Sequence, residues 1–243
     1  MNGQRPVPRN ITPHTIAWNA EAPGVMRKTL WAEPMWDAPS VPRQLSMMRY
    51  EAGVKCPPQK QVIGDEIVYV IEGVLSDEFG DVAAGNVAYR PEGCVYSLFS
   101  LSGATTLSFV VGSIESVAEA PVKSPPTQVI NVNEMPWLQW VPSEGDPSFN
   151  KNIYEREIWR DPNSKRRVVL FKFVAGFANE LHEHVGDELV YHIEGSFVDE
   201  SGLQRPGDVG FRPFGCHHSW VSENGGVALA YIWGGSEYIN DRK

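Results

Sequence analysis

The sequence predicts an all-β protein built as two tandem antiparallel barrels of the jelly-roll type, one a duplicate of the other. Three observations carry this expectation. Strand-length apolar runs recur along the chain, punctuated by Gly and Pro. No segment shows a long helical period. The chain also repeats itself at an offset of 122 residues, laying Gly64 onto Gly186. A repeat that long signals duplicated domains rather than a solenoid.

Taken in order, residues 1–20 are polar and Pro-rich and are expected to lie on the surface. From Val25 to Ser46 the mixture of Trp31, Trp36 and several prolines suggests short strands and irregular turns. Clear strand patterns follow at Leu45–Tyr50, Glu66–Ile71, Asn86–Tyr89 and Thr106–Val111. The stretch Glu119–Thr127, with three prolines, reads as a linker. The second half repeats the plan at Gln128–Val132, Val168–Val174, Glu188–Ile193, Asp208–Phe211 and Val227–Trp233. Gly73, Gly80, Gly195 and Gly202 fall where turns call for positive φ. The expected domains are 1–119 and 120–243, each large enough for its own core.

The repeat is detailed. Gly64-Asp-Glu-Ile-Val-Tyr-Val-Ile-Glu-Gly73 aligns with Gly186-Asp-Glu-Leu-Val-Tyr-His-Ile-Glu-Gly195, with eight of ten positions identical. Asp77-Glu-Phe-Gly80 aligns with Asp199-Glu-Ser-Gly202, and Arg90-Pro-Glu-Gly-Cys94 with Arg212-Pro-Phe-Gly-Cys216.

The histidines break the symmetry. Five of the six lie between His182 and His218, in a two-part frame. The first part runs from Gly176 through His182, His184 and Glu188 to Gly195. The second runs from Gly207 through Pro213 and Gly215 to His218. His182, His184 and Glu188 share parity, so a strand aims them to one side. His218 must reach them from another strand. Three imidazoles and a carboxylate suit Fe(II), Zn(II), Mn(II), Ni(II) or Co(II), and in an octahedral ion they leave open positions of the kind a catalytic metal needs. The first copy offers Gln59 and Gln61 for the histidine pair, with a spacer before Glu66 one residue longer. Tyr96 stands for His218. Amide and phenol oxygens are poor ligands for such metals, so one metal ion per chain is expected, in the second copy.

Other residues carry weaker readings. His192 shares parity with Glu188 and is the candidate proton shuttle, with a core histidine satisfied by a neighbour as the alternative. His217 has the parity opposite to His218 and should face away. Arg90 and Arg212 read as turn-bracing ion pairs in both copies. Cys94 and Cys216 read as small buried side chains, and Phe171, Phe173 and Phe177 as barrel core. Trp220 could line a cavity or cover its mouth.

At the two glycine-framed motifs the chain resembles the cupin superfamily, and its surrounding words resemble the ChrR-like branch. Ser222 stands where that family usually has asparagine, outside the ligand set. The resemblance implies a bicupin, with strands exchanged between neighbouring units. It also implies a mononuclear metal enzyme, with Fe(II) dioxygenase chemistry on a small enolisable or phenolic substrate as the first reading. A redox-silent Zn, Mn or Ni lyase, isomerase or hydrolase is the second, and a ligand-binding or sensor cupin the third. The diketone-cleaving relatives use three histidines without the carboxylate that Glu188 adds here.

Composition sets outer bounds. A net charge of −9 disfavours nucleic-acid surfaces and anionic membranes as partners. No apolar run approaches the roughly 18 residues of a membrane span, and the N-terminus lacks a hydrophobic signal core. Three scattered cysteines make no disulfide framework. A cytoplasmic protein binding a small molecule is the expectation, with monomer and homodimer both compatible.

Overall fold

The structure is a computed structural model that describes residues 5–36, 38–118, 123–140 and 152–239. Almost all regular structure is strand. The described helices are two single 3-10 turns, Pro13–Thr15 and Val132–Glu134. No helix among the described residues is long and apolar enough to cross a membrane.

The chain divides into two compact units, residues 14–134 and residues 1–13 with 135–243. In the first, the main sheet runs Gln128–Ile130, Val87–Arg90, Gln59–Asp77, Ala104–Ser116, Pro42–Tyr50, Val25–Pro34, Asn19–Ala22. In the second it runs Arg9–Ile11, Val209–Arg212, Glu188–Gly195, Gly226–Ile232, Arg167–Phe173, Ile153–Arg160, Leu138–Gln139. The two orders match strand for strand, and the pairings are antiparallel. The second unit adds a separate five-stranded sheet: Gly202–Gln204, Phe197–Asp199, His217–Ser222, Phe177–His184, Ser236–Tyr238. The sheets are open and jelly-roll-like, as expected from the alternating runs.

The units differ from the contiguous halves 1–119 and 120–243 at their ends. Arg9–Ile11 pairs with Phe211–Val209, far along the chain, and Gln128–Ile130 pairs with Tyr89–Val87 in the equivalent place. Each sheet is thus completed by a strand that lies outside its own half of the sequence. Residues 9–11, expected on the surface, are therefore an edge strand. Their three-residue pattern carries no local signal, because the pairing that makes them a strand is long-range. Val25–Pro34 is likewise a ten-residue strand rather than short pieces. A bulge at Leu30 shifts its register against Pro42–Tyr50 and hides the period-two alternation. In the linker, residues 119–122 lie outside the described residues.

The second unit's core is aromatic. Phe173 packs against Phe177, Phe197 and Trp220 with ring centroids 5.1, 5.5 and 4.7 Å away.

Candidate metal centre

The histidines come from the five-stranded sheet. His182 and His184 end the Phe177–His184 strand, and His218 lies directly opposite His182 on His217–Ser222. A bulge at Glu180–Leu181 sets that register. All three side chains are buried, each residue 3% exposed, and their ligating nitrogens lie within 4.8 Å of one another.

A hydrogen bond fixes the tautomer of His182. His182 Nδ1 is 2.8 Å from the Glu180 carbonyl oxygen, which can only accept. The proton therefore sits on Nδ1 and the lone pair on Nε2. His218 turns Nδ1 towards Asp199 Oδ2 at 3.4 Å, a charge contact without hydrogen-bond geometry, and points Nε2 the other way. That atom faces His184 Nε2 at 2.9 Å. Metal–nitrogen bonds of about 2.05 Å set at a right angle would separate two ligands by about 2.9 Å. Burial holds the His182 pKa down to about 4, with the charge of His218 adding to the effect. Burial lowers those of His184 and His218 as well. Three neutral imidazoles with their nitrogens gathered this closely fit a divalent transition metal.

Glu188 belongs to the facing seven-stranded sheet. Its Oε2 is 3.9 Å from His184 Nε2, and it stands outside the tight histidine group. The side chain keeps 18% exposure. Burial nevertheless raises its pKa to about 7, against the opposing charges of Arg212 and Arg167. Its carboxylate faces the histidine group across the cavity.

A cavity of about 270 Å³ opens on this group. His182, His184, Glu188 and His218 line one end. Phe171, Phe173, Phe197 and Trp220 line the apolar remainder. Phe171 and Phe173 are thus both core and cavity wall, while Phe177 is wholly buried behind them. His192 also lines the cavity. Its Nε2 meets Gln204 Oε1 at 2.7 Å, an oxygen that must accept, so Nε2 carries the proton. His192 Nδ1 is buried without a partner. Burial lowers its pKa to about 4.

Arg212 is a brace. It donates to Asp199, to Gln204 Oε1 at 3.1 Å and to the Phe211 carbonyl at 3.2 Å. His217 faces away from the centre and meets Glu183 at 3.3 Å. Cys94 and Cys216 are fully buried free thiols.

The equivalent place in the other unit is closed by its own hydrogen bonds. Glu66 accepts from Tyr96 Oη at 2.9 Å, Arg90 Nη1 at 3.0 Å and Ser108 Oγ at 2.6 Å. Gln61 donates to the Ile63 and Val111 carbonyls at 2.7 and 3.2 Å. The extra spacer residue is a bulge at Val62. Ser108 corresponds to Ala230 and Tyr96 to His218, so the second unit lacks two of the three donors that occupy Glu66.

Sequence reasoning did not single out Asp199, Gln204 or Arg167, although all three shape the site. Gln204 replaces the Val82 of the other copy, and Arg167 faces the rung where the other copy has Gln44. A polar residue that interrupts an apolar or neutral match between repeats was the available signal.

The fold is jelly-roll-like, and its second unit holds a buried histidine group. Residues 8–113 match the family model of the ChrR cupin-like domain, the half in which Gln and Tyr stand for the histidines. Among solved structures, a candidate dioxygenase from Nostoc punctiforme is similar with a TM-score of 0.71 at 14% identity, covering 96% of this chain and 83% of that one. A tryptophan-to-tyrosine variant of Bacillus subtilis oxalate decarboxylase has a TM-score of 0.62 at 15% identity, covering 97% and 80%. A structure from work on the Mn(II) centres of that decarboxylase gives 0.62 at 17%, with the same coverage. At such identities the likeness speaks to the fold alone. No curated protein sequence matches the chain.

Proposed function

We propose that this chain is a bicupin enzyme with one working half, carrying a single divalent metal on His182, His184, His218 and Glu188. The observation that carries the reading is the convergence of the His184 and His218 Nε2 atoms at 2.9 Å inside an apolar cavity. Fe(II) is the favoured ion, and the favoured reaction is a dioxygenase cleavage of a small enolisable or phenolic substrate. When bound, such an ion supplies Lewis acidity and open positions for a chelating oxygen pair and for oxygen. The chain's own residues do the rest. Phe171, Phe173 and Trp220 hold the substrate's apolar body and exclude water. Asp199 and the Glu180 carbonyl keep His218 and His182 in the tautomer that presents Nε2. His192 offers a neutral Nδ1 as proton acceptor while Gln204 holds its Nε2–H.

The donor set serves redox-silent chemistry equally well, and the fold is shared with a Mn(II) decarboxylase. Lyase chemistry is therefore the second reading. One experiment separates them: anaerobic reconstitution with Fe(II), Mn(II), Zn(II) or Ni(II), then oxygen uptake with a panel of diketones and phenols. Uptake only in the iron form is expected. Turnover in the Zn or Mn form without oxygen consumption would replace the first reading by the second. Metal analysis should give one ion per chain, lost in His182→Ala/His184→Ala and kept in Gln59→Ala and Tyr96→Phe. A native stoichiometry near two would show that the first unit also binds.

A further inference from the structure

The wall of the cavity facing the histidines is a ladder of cross-strand rungs. One rung reads Arg212, Glu188, Ile232, Arg167 across four neighbouring strands. The next in-facing rungs are Val190, Ala230, Val169 and then His192, Ala228, Phe171. Residues directly opposite one another on antiparallel strands point to the same face. Arg167, Ile232 and Glu188 accordingly all line the cavity. The Arg167 and Glu188 backbones are two strands, about 10 Å, apart, and the Arg167 guanidinium ends near Glu155 and Glu157 of the strand on its other side.

The two arginines of this rung are not equivalent. Arg212 is spent on Asp199, Gln204 and backbone carbonyls. Arg167 has only two loose ion contacts, both through Nη1, to Glu155 at 3.6 Å and Glu157 at 3.7 Å. Glu157 is already hydrogen-bonded by Arg160. Among the described residues, Nε and Nη2 of Arg167 have no partner. In the closed unit the same rung reads Arg90, Glu66, Val110, Gln44. There Gln44 donates to Ser46 Oγ at 2.6 Å. A cation paired with Glu155 and Glu157 through Nη1 alone thus lines the cavity in the unit that has the histidines, with Nε and Nη2 left over, and a satisfied neutral amide takes its place in the unit that does not.

We propose that Arg167 is the specificity-determining anion anchor of this cavity, which selects a small organic carboxylate with an apolar body. The inference rests on the reading of the cavity as a substrate site. A guanidinium matches a carboxylate with two parallel N–H donors. Phe171, Phe173 and Trp220 supply the apolar surface for the remainder. A dianion such as oxalate would leave that aromatic wall uncovered, so a monocarboxylate fits better.

Benzoate and its neutral isostere benzamide test this, titrated calorimetrically and by the fluorescence of Trp140 and Trp220, which line the cavity. Metal-free and Zn(II)-loaded protein are compared, with metal content measured in parallel. The expected result is at least tenfold tighter binding of benzoate in the wild type, in both forms. In Arg167→Gln, which copies the other unit, the ratio should collapse towards one through loss of benzoate binding alone. Arg167→Lys should keep part of it. A ratio that survives in Arg167→Gln overturns the proposal, and so does a wild type that binds neither probe or prefers neither. If Arg167→Gln fails to fold, a full ratio in metal-free Arg167→Lys overturns it too, since a bidentate site does not accept lysine unchanged. Loss of metal with benzoate selection intact would sink the metal-enzyme reading while leaving Arg167 in place.

Discussion

Glu66 and Glu188 are one residue in two environments, and the comparison shows how a few neighbours decide whether a carboxylate is structural or available. Around Glu66, three protein donors fill the oxygens, one of them a buried arginine 3.0 Å away. Around Glu188, Ala230 and His218 replace two of those donors, Arg212 turns to Asp199, and burial raises the carboxyl pKa to about 7. The nearby His192 permits a cleaner pH prediction because it lies outside the ligand set. An unfolded histidine takes up its proton near pH 6.5, whereas the folded one resists until about 4. Its contribution to stability is therefore complete above pH 6.5 and is lost as pH falls through that window, because the unfolded state binds more protons there. The full loss is about 3 kcal/mol at one pKa unit per 1.36 kcal/mol. Urea unfolding of wild type and His192→Asn at pH 7 and pH 4.5 should show the wild type losing more, by a few kcal/mol. Equal losses would mean that His192 is already protonated in the fold or reaches water.

At the scale of elements, the duplicated glycines after each long central strand carry a shared strain. Gly195 has φ of 76°, and a Cβ there would stand 1.9 Å from the Gly225 carbonyl oxygen. Gly73 has φ of 77° and a Cβ would stand 2.0 Å from the Gly103 oxygen. Each follows a bulge two residues earlier, at Ile193 and Ile71. Gly195→Ala must either move the backbone or accept the clash, and a destabilisation above about 2 kcal/mol is expected. A melting temperature within a degree of wild type would refute the strained turn. These glycines were legible in the sequence, as were the central strands and the repeat, because identical spacing in two copies reveals shared geometry, and the clustering of His182, His184 and His218 was legible from their motif. Less of the rest was legible, for definite reasons. The bulge at Leu30 scrambles the alternation of Val25–Pro34. Strand Arg9–Ile11 exists only through a partner about two hundred residues away. Arg167 looks like any charged strand residue until its rung with Glu188 is known, and Asp199 looks like a turn residue until its carboxylate is seen beside His218.

On the scale of the whole molecule, that same short strand links the chain's beginning to the histidine group. Asn10 Nδ2 donates to the Ser201 carbonyl at 3.2 Å, and the Ser201 hydroxyl lies 2.9 Å from Asn10 Oδ1 and 2.5 Å from Asp199 Oδ1. The Ser201 backbone N–H donates to the same Asp199 oxygen at 2.8 Å. Burial would raise the Asp199 pKa, but His218, Arg212 and Ser201 together hold it down to about 2. The other Asp199 oxygen faces His218 Nδ1 and Arg212. Asn10 therefore supports the turn that supports the carboxylate beside His218. Arg9 adds a stacked contact, its guanidinium 4.6 Å from the Phe211 ring centroid. Removing residues 1–13 should open the edge at Val209–Arg212 and loosen this chain of contacts without deleting any ligand. The expected result is a metal affinity of the truncated protein weakened by about tenfold to a hundredfold, the range for lost support around ligands. Asn10→Ala, which keeps the strand, should give a smaller loss in the same direction. Competition with a chromophoric chelator measures both. If the truncated protein binds as tightly as the full chain, the exchanged strand only covers an edge, and the orientation of His218 is secured within residues 135–243 alone.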